Sequence, residues 1–114
     1  MEDSTVAGEQ WDRYHFDAAV TDQDLVDSYM LPFQACVEKG QVSSLMCSYN
    51  AVNGKPSCAN DWLLKTVARD AWGFDGYITS DCGAVSDVYH NHHFTATPEE
   101  TGQAVLAAGT DVDC

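Results

Sequence analysis

VSSLMCSYNAVNGKPSCANDWLLKTVARDAWGFDGYITSD, residues 42–81, decides the fold. It opens with a short apolar run of strand type, VSSLMCSY (42–49), and passes into NAVNGKPSCAN (50–60), whose turn formers mark a loop. Asn60 then offers a helix cap. Trp62, Leu63, Val67 and Ala71 make one apolar stripe before Gly73 closes the helix. GYITSD (76–81) reads as a second buried strand. Two apolar strands joined by a loop and a helix predict parallel pairing through a crossover.

The flanks repeat the pattern. Upstream, T-D-Q-D at 21–24 supplies a cap and an acid three positions on, and Leu25, Tyr29, Phe33 and Val37 recur every fourth residue. This predicts an amphipathic helix over 22–39 ending at Gly40, with a kink or break at 28–32 because Pro32 removes a backbone donor. Downstream, T-P-E-E at 97–100 combines a capping Thr, a Pro at the first helical position and an acid at the third. That helix runs to about residue 108, Gly109 ends it, and TDVDC (110–114) begins a third strand. Residues 1–20 read as an irregular lead-in whose RYHFDAAV (13–20) is a short strand or a packed loop. The chain is therefore an α/β array with about three parallel strands and their helices. Periodicity alone leaves open whether they belong to a (β/α)8 barrel or a doubly wound sheet; a whole barrel needs about 250 residues.

Composition excludes some partners. Asp and Glu number 18 against 5 Lys and Arg, a net charge of -13, which repels nucleic acid and anionic membrane surfaces. No apolar run approaches the roughly 20 residues that span a bilayer, and MEDSTVAGEQ at the start lacks the features of a secretory signal. The five cysteines, Cys36, Cys47, Cys58, Cys82 and Cys114, contain no CxxC pair of zinc-site type. Cys36 and Cys47 read as small buried hydrophobes; an oxidising compartment allows one or two disulfides and leaves an odd thiol.

In both parallel architectures the chemistry lies beyond the C-terminal ends of the strands. Those ends deliver Ser48, Tyr49 and Asn50 from the first strand, Ser80, Asp81 and Cys82 from the second, and Asp111 and Asp113 from the third. A carboxylate at the rim of an apolar strand suits a nucleophile or a metal ligand, and equally a loop cap.

MCSYNAVNGKPSCAN (46–60) followed by WGFDGYITSDCGAV (72–85) resembles the nucleophile region of glycoside hydrolase family 3, with DLVDSYMLPF (24–33) before it and AGTDVDC (108–114) after it. The resemblance covers residues 10–114 and implies a partial TIM barrel. It assigns Asp81 as the nucleophile that forms a glycosyl-enzyme, then hydrolysed with retention. Tyr49 is implied to stand beside it, hydrogen-bonding the carboxylate, with Met46, Ser48 and Cys82 lining the sugar pocket. SDC at 80–82, SCAN at 57–60 and DVDC at 111–114 resemble the β-xylosidase branch, which implies a β-xyloside or xylo-oligosaccharide substrate; no cofactor and no metal are expected, and the cysteine count points to an extracellular parent protein. Glucosides and arabinosides are the alternatives within the family. The family's upstream Lys-His pair and its general acid are absent from these residues. Residues 1–114 are therefore expected to form a single partial domain of negligible activity alone, completed by the remainder of the barrel and a C-terminal domain.

Other signals receive plainer readings. Glu99 and Glu100 serve the helix start, Asp87 is a solvated loop residue, and His90, Asn91, His92 and His93 form a surface loop. Two rivals remain. Asp81, Asp111 and Asp113 converging on one point would make a metal-dependent α/β domain. Exposed Trp11, Trp62 and Trp72 would make a noncatalytic sugar-binding piece, although Trp62 and Trp72 read better as helix residues packed in the core.

Overall fold

The computed structural model describes residues 4–6 and 9–114, and side chains from residue 12 onward. The lead-in is more ordered than its composition suggests. β1 (Ser4–Val6) pairs antiparallel with β2 (Glu9–Trp11), and β3 (Asp17–Ala18) lies parallel to β5 (Ala51–Val52), which turns back on β6 (Lys55–Pro56). Backbone pairing explains what periodicity missed, because strands of two or three residues are too short to show alternation.

The expected 22–39 helix is broken where Pro32 implied. α1 (Asp22–Asp24) starts at Thr21, whose hydroxyl accepts from the Asp24 amide; a π-turn follows at Leu25–Tyr29, and α2 runs Leu31–Glu38. In the π-turn the Met30 amide bonds the Leu25 carbonyl five residues back. The wider turn moves the buried position from residue 29 to residue 30. Leu25, Met30 and Val37 are buried, whereas Tyr29 and Phe33, predicted on the same stripe, are exposed.

β4 (Ser44–Cys47) and β7 (Tyr77–Ser80) pair in parallel, Ser44 opposite Tyr77 and Cys47 opposite Ser80. Both are shorter than the predicted 42–49 and 76–81. Between them the Ser57–Ala59 3₁₀ turn leads to a π-wound helix, Trp62–Ala71, whose first turn is capped by Asn60 Oδ1 accepting from the Leu63 amide at 3.2 Å. The winding again displaces the buried line: Leu64 and Ala68 are buried, Leu63 and Val67 half-buried, Trp62 and Ala71 exposed. Trp72 does pack against the core, but Trp62 lies at the surface, and the side chain of Trp11 falls outside the described residues.

A helix the sequence reading lacked, α3 (Ala84–His90), follows β7. It starts from Gly83 at φ 85 without a side-chain cap, so no local signal announces it. Asp87, read as a solvated loop residue, is buried on this helix. α4 (Pro98–Ala108) has the expected capping box: the Glu100 amide donates to Thr97 Oγ1 at 3.2 Å, and Glu100 Oε2 accepts from the Ala96 amide at 2.9 Å. Gly109 then turns the chain at φ 110. The third strand shrinks to one parallel bridge between Thr79 and Val112.

The core lies on one face of this parallel sheet. Ile78, fully buried, packs with Val37, Leu64, Ala68, Phe74 and Ala108. A second cluster joins Cys47, Cys58, Ala59, Ala84, Val88 and Val105. Close approach of the strands explains Gly76 in the GYITSD run: a Cβ there would collide with the Ser43 carbonyl oxygen. The opposite face carries Met46, Tyr77 and Val112, all exposed.

Two disulfides, Cys47–Cys58 and Cys82–Cys114, leave Cys36 free and exposed. The expectation of a buried Cys36 fails because residue 36 lies on the solvent side of α2. Cys47 is buried as expected, but as half of a cystine.

Candidate active site

Side chains alternate faces along a strand, so Thr79 and Asp81 share the face opposite buried Ile78 and Ser80. Asp81 is the first residue past β7, half-buried, and its amide donates to the Cys47 carbonyl at 2.9 Å, extending the β4–β7 ladder to the strand end. Its Oδ1 accepts from the Cys82 amide at 2.8 Å, and its carbonyl accepts from Ala84 at the start of α3. The backbone of Asp81 is thus fixed by a strand on one side and a helix start on the other, and its carboxylate by the Cys82 amide.

Tyr49, two residues past β4, reaches across to the same loop. Its hydroxyl donates to the Cys82 carbonyl at 3.0 Å and stands within reach of the Asp81 carboxylate, the partner the sequence reading expected. Burial pushes its phenol above the ordinary value, and Asp81, within reach of the same hydroxyl, pushes it further by hydrogen bonding and by charge. The phenol therefore stays neutral beside a carboxylate.

Cys82 is locked to Cys114, and the Gly83 amide donates to the Cys114 carbonyl at 2.9 Å. Ser80 Oγ donates to Asp113 at 3.2 Å and accepts from the Cys114 amide at 2.9 Å. Met46 is exposed on the face that leads to Asp81. Ser48, placed in the pocket by the sequence reading, turns instead to Asn50 and Ser57, at 2.7 and 3.1 Å. Asp81, Tyr49 and Cys82 come together; Ser48 does not join them.

Asp111 and Asp113 have structural partners. Asp111 Oδ2 accepts from Arg69 at 2.8 Å and from the Ile78 amide at 2.7 Å. Among the described residues, no group of three His, Cys, Asp or Glu side chains is arranged to hold a metal ion. The separate bonds of Asp111 and Asp113 oppose the convergence that the metal-dependent reading required.

Tyr14, Arg13 and Asp12 near the site were not singled out in the sequence, and His92 was read only as loop. The Tyr14 ring meets that of Tyr49 edge-on at 4.9 Å, with the Arg13 guanidinium 5.0 Å from the Tyr14 ring centre. Buried Asp12 holds that turn, accepting from the Tyr14 and His15 amides at 2.8 and 2.9 Å and meeting the His15 ring at 2.7 Å. Burial works against its charge, but those bonds outweigh it and hold the carboxyl below its ordinary value. His92, read as part of a surface loop, is half-buried with Nε2 2.7 Å from the Tyr49 carbonyl oxygen. RYHF held the only cue, a Tyr and a His in a run otherwise read as packing.

Known proteins similar to this chain point to one family. The family described as "Glycosyl hydrolase family 3 N terminal domain" matches residues 8–114. Beta-D-xylosidase 1 of Arabidopsis thaliana is 52% identical over 103 residues, covering 90% of this chain and 13% of that protein. A probable exo-1,4-beta-xylosidase of Aspergillus fumigatus is 47% identical over 112 residues, covering 93% and 14%. Among solved structures, a family 3 exo-beta-xylosidase in complex with a xylobiose aziridine activity-based probe superposes with a TM-score of 0.88 at 42% identity, over 90% of this chain and 14% of that one. A beta-glucosidase of Bifidobacterium adolescentis gives 0.72 at 33%, over 89% and 13%. The chain spans about one seventh of the length of these relatives. β4, β7 and the Val112 position are accordingly neighbouring strands of part of a (β/α)8 barrel with helices on the outer face, and the chain belongs to glycosyl hydrolase family 3, within its N-terminal domain.

Proposed function

We propose that this chain, one partial domain over residues 1–114, supplies the nucleophile side of a retaining glycosidase that cleaves β-1,4-xylosides or xylo-oligosaccharides in xylan breakdown. The observation that carries the reading is Asp81 at the C-terminal end of a parallel strand with the neutral phenol of Tyr49 beside it. An Asp81 carboxylate oxygen attacks the anomeric carbon as the bond to the leaving oxygen breaks, and water then hydrolyses the glycosyl ester, restoring the carboxylate with retention. The leaving oxygen needs a proton from a second carboxyl about 5–5.5 Å away. We assign that acid to a part of the enzyme outside these residues. Met46 and the Cys82 backbone wall the pocket beside Asp81, and Ser48 supports the Tyr49 loop through Asn50 and Ser57.

The relatives' names favour xylose over glucose, and two cystines suit a secreted enzyme. Arabinoside cleavage is the second reading, since a Medicago sativa relative 52% identical is called a beta-xylosidase/alpha-L-arabinofuranosidase. The test is NMR of the first product formed from an aryl β-xyloside by the enzyme that carries this segment. A β-configured xylose that Asp81→Asn abolishes supports the proposal. An α-configured first product contradicts it.

A further inference from the structure

Tyr49 is held from three sides, and the hold on its backbone comes from 43 residues further along the chain. It lies beyond the β4 ladder, so strand pairing does not fix it. Its hydroxyl is taken by the Cys82 carbonyl, its ring rests against Tyr14, and its own carbonyl oxygen meets His92 Nε2 at 2.7 Å. A carbonyl can only accept, so Nε2 must carry the hydrogen. His92 is in turn tied to α3: its amide donates to the Asp87 carbonyl at 2.9 Å, where the helix ends.

Behind that link sits Asp87, 8% exposed. Asn91 donates to its Oδ1 at 2.6 Å, and Oδ2 makes no hydrogen bond among the described residues. A buried carboxyl with one oxygen unbonded is costly as a simple loop fastening. Burial pushes its carboxyl above the ordinary value; of the ionisable groups facing it, His92 and His15 favour the charged form and Asp12 opposes it. His92 is thus anchored at the foot of α3 by its amide bond to the Asp87 carbonyl, and its ring grips Tyr49.

We propose that His92 is a positioning residue of the site, its Nε2–H fixing the Tyr49 backbone so that the phenol stays beside Asp81, with the bond from its amide to the Asp87 carbonyl at the end of α3 holding residue 92 in place. The inference rests on the glycosidase reading for its catalytic consequence but not for its geometry. Glutamine retains a side-chain N–H donor; alanine has none.

The experiment compares His92→Ala with His92→Gln by two readouts. The first is steady-state hydrolysis of an aryl β-xyloside by the full enzyme. A displacement near 1 Å costs on the order of 10²-fold in rate, so kcat for His92→Ala should fall roughly ten- to a hundredfold with KM little changed, while His92→Gln recovers most of it. The second needs no activity: the phenol of Tyr49, followed by NMR with 13C-labelled tyrosine and assigned through Tyr49→Phe, should titrate lower in His92→Ala as the ring leaves Asp81, and stay high in His92→Gln. Equal behaviour of the two variants in both readouts would overturn the proposal, as would a Tyr49 titration untouched in a folded His92→Ala. If the unaltered enzyme hydrolyses no glycoside, the glycosidase reading alone fails and the NMR titration still decides the role of His92.

Discussion

Arg69 projects from the π-wound helix into the place where the second strand begins and the third is reached. Its guanidinium donates to the Gly76 carbonyl at 3.0 Å, the Gly109 carbonyl at 3.3 Å and Asp111 Oδ2 at 2.8 Å, and lies 5.5 Å from the centre of the Phe74 ring. One side chain thereby joins the helix, the start of β7 and the stretch that ends at Cys114. Arg69→Met keeps an apolar stem over Phe74 while removing every donor. Hydrogen bonds to a charged group contribute about 1.5–3 kcal/mol each when buried. Here the Arg69 side chain is 26% and that of Asp111 46% exposed, and the Gly109 bond is long, so water replaces much of that gain. A loss of about 2–3 kcal/mol follows for the set of three. With an m value of about 1–1.5 kcal/mol/M for a chain of this size, the urea midpoint followed by tryptophan fluorescence should fall by about 2 M. A shift below about 0.4 M would refute the reasoning, because it would mean that solvent satisfies these carbonyls equally well.

Gly76→Ala places a methyl group against the Ser43 carbonyl, which cannot swing away as a side chain would, and is expected to cost about 2–3 kcal/mol by the same urea assay. Thr97→Ala removes the α4 cap and should cost about 1 kcal/mol, whereas Thr97→Ser should be close to neutral. Burial raises the Asp87 carboxyl above its ordinary 3.8 despite His92 and Asn91. The folded protein therefore holds this proton where the unfolded chain releases it, and stability falls as pH rises from about 3.8 through the raised value. Asp87→Asn should accordingly be more stable than the parent at neutral pH, with the difference shrinking below that window in urea midpoints measured across pH.

Local signals were legible wherever they acted within one turn. The capping box at Thr97–Glu100, the Asn60 cap and the break ahead of Pro32 all appear where the residues placed them. Stripes failed where the backbone left the 3.6-residue period. Tyr29 and Phe33 follow the α spacing and are exposed, because the π-turn at 25–29 hands their place to Met30. Asp87 was misread for another reason: α3 begins at an uncapped glycine in a polar run, and only its packing against the second core cluster makes it a helix. For the site, the strand-end rule located Asp81, Tyr49 and Cys82 together. It said nothing of Tyr14 and His92, which reach Tyr49 from 35 and 43 residues away through tertiary contacts alone.

The measurement closest to the central claim is mass spectrometry of the enzyme carrying this segment after incubation with a 2-fluoro-xyloside, which slows breakdown of a glycosyl-enzyme enough to map the labelled peptide. The account predicts a single fluoroxylosyl ester on Asp81, in the peptide that spans the Cys82–Cys114 cystine. A label on any other carboxylate, or an Asp81→Asn variant labelled as fast as the parent, would contradict it.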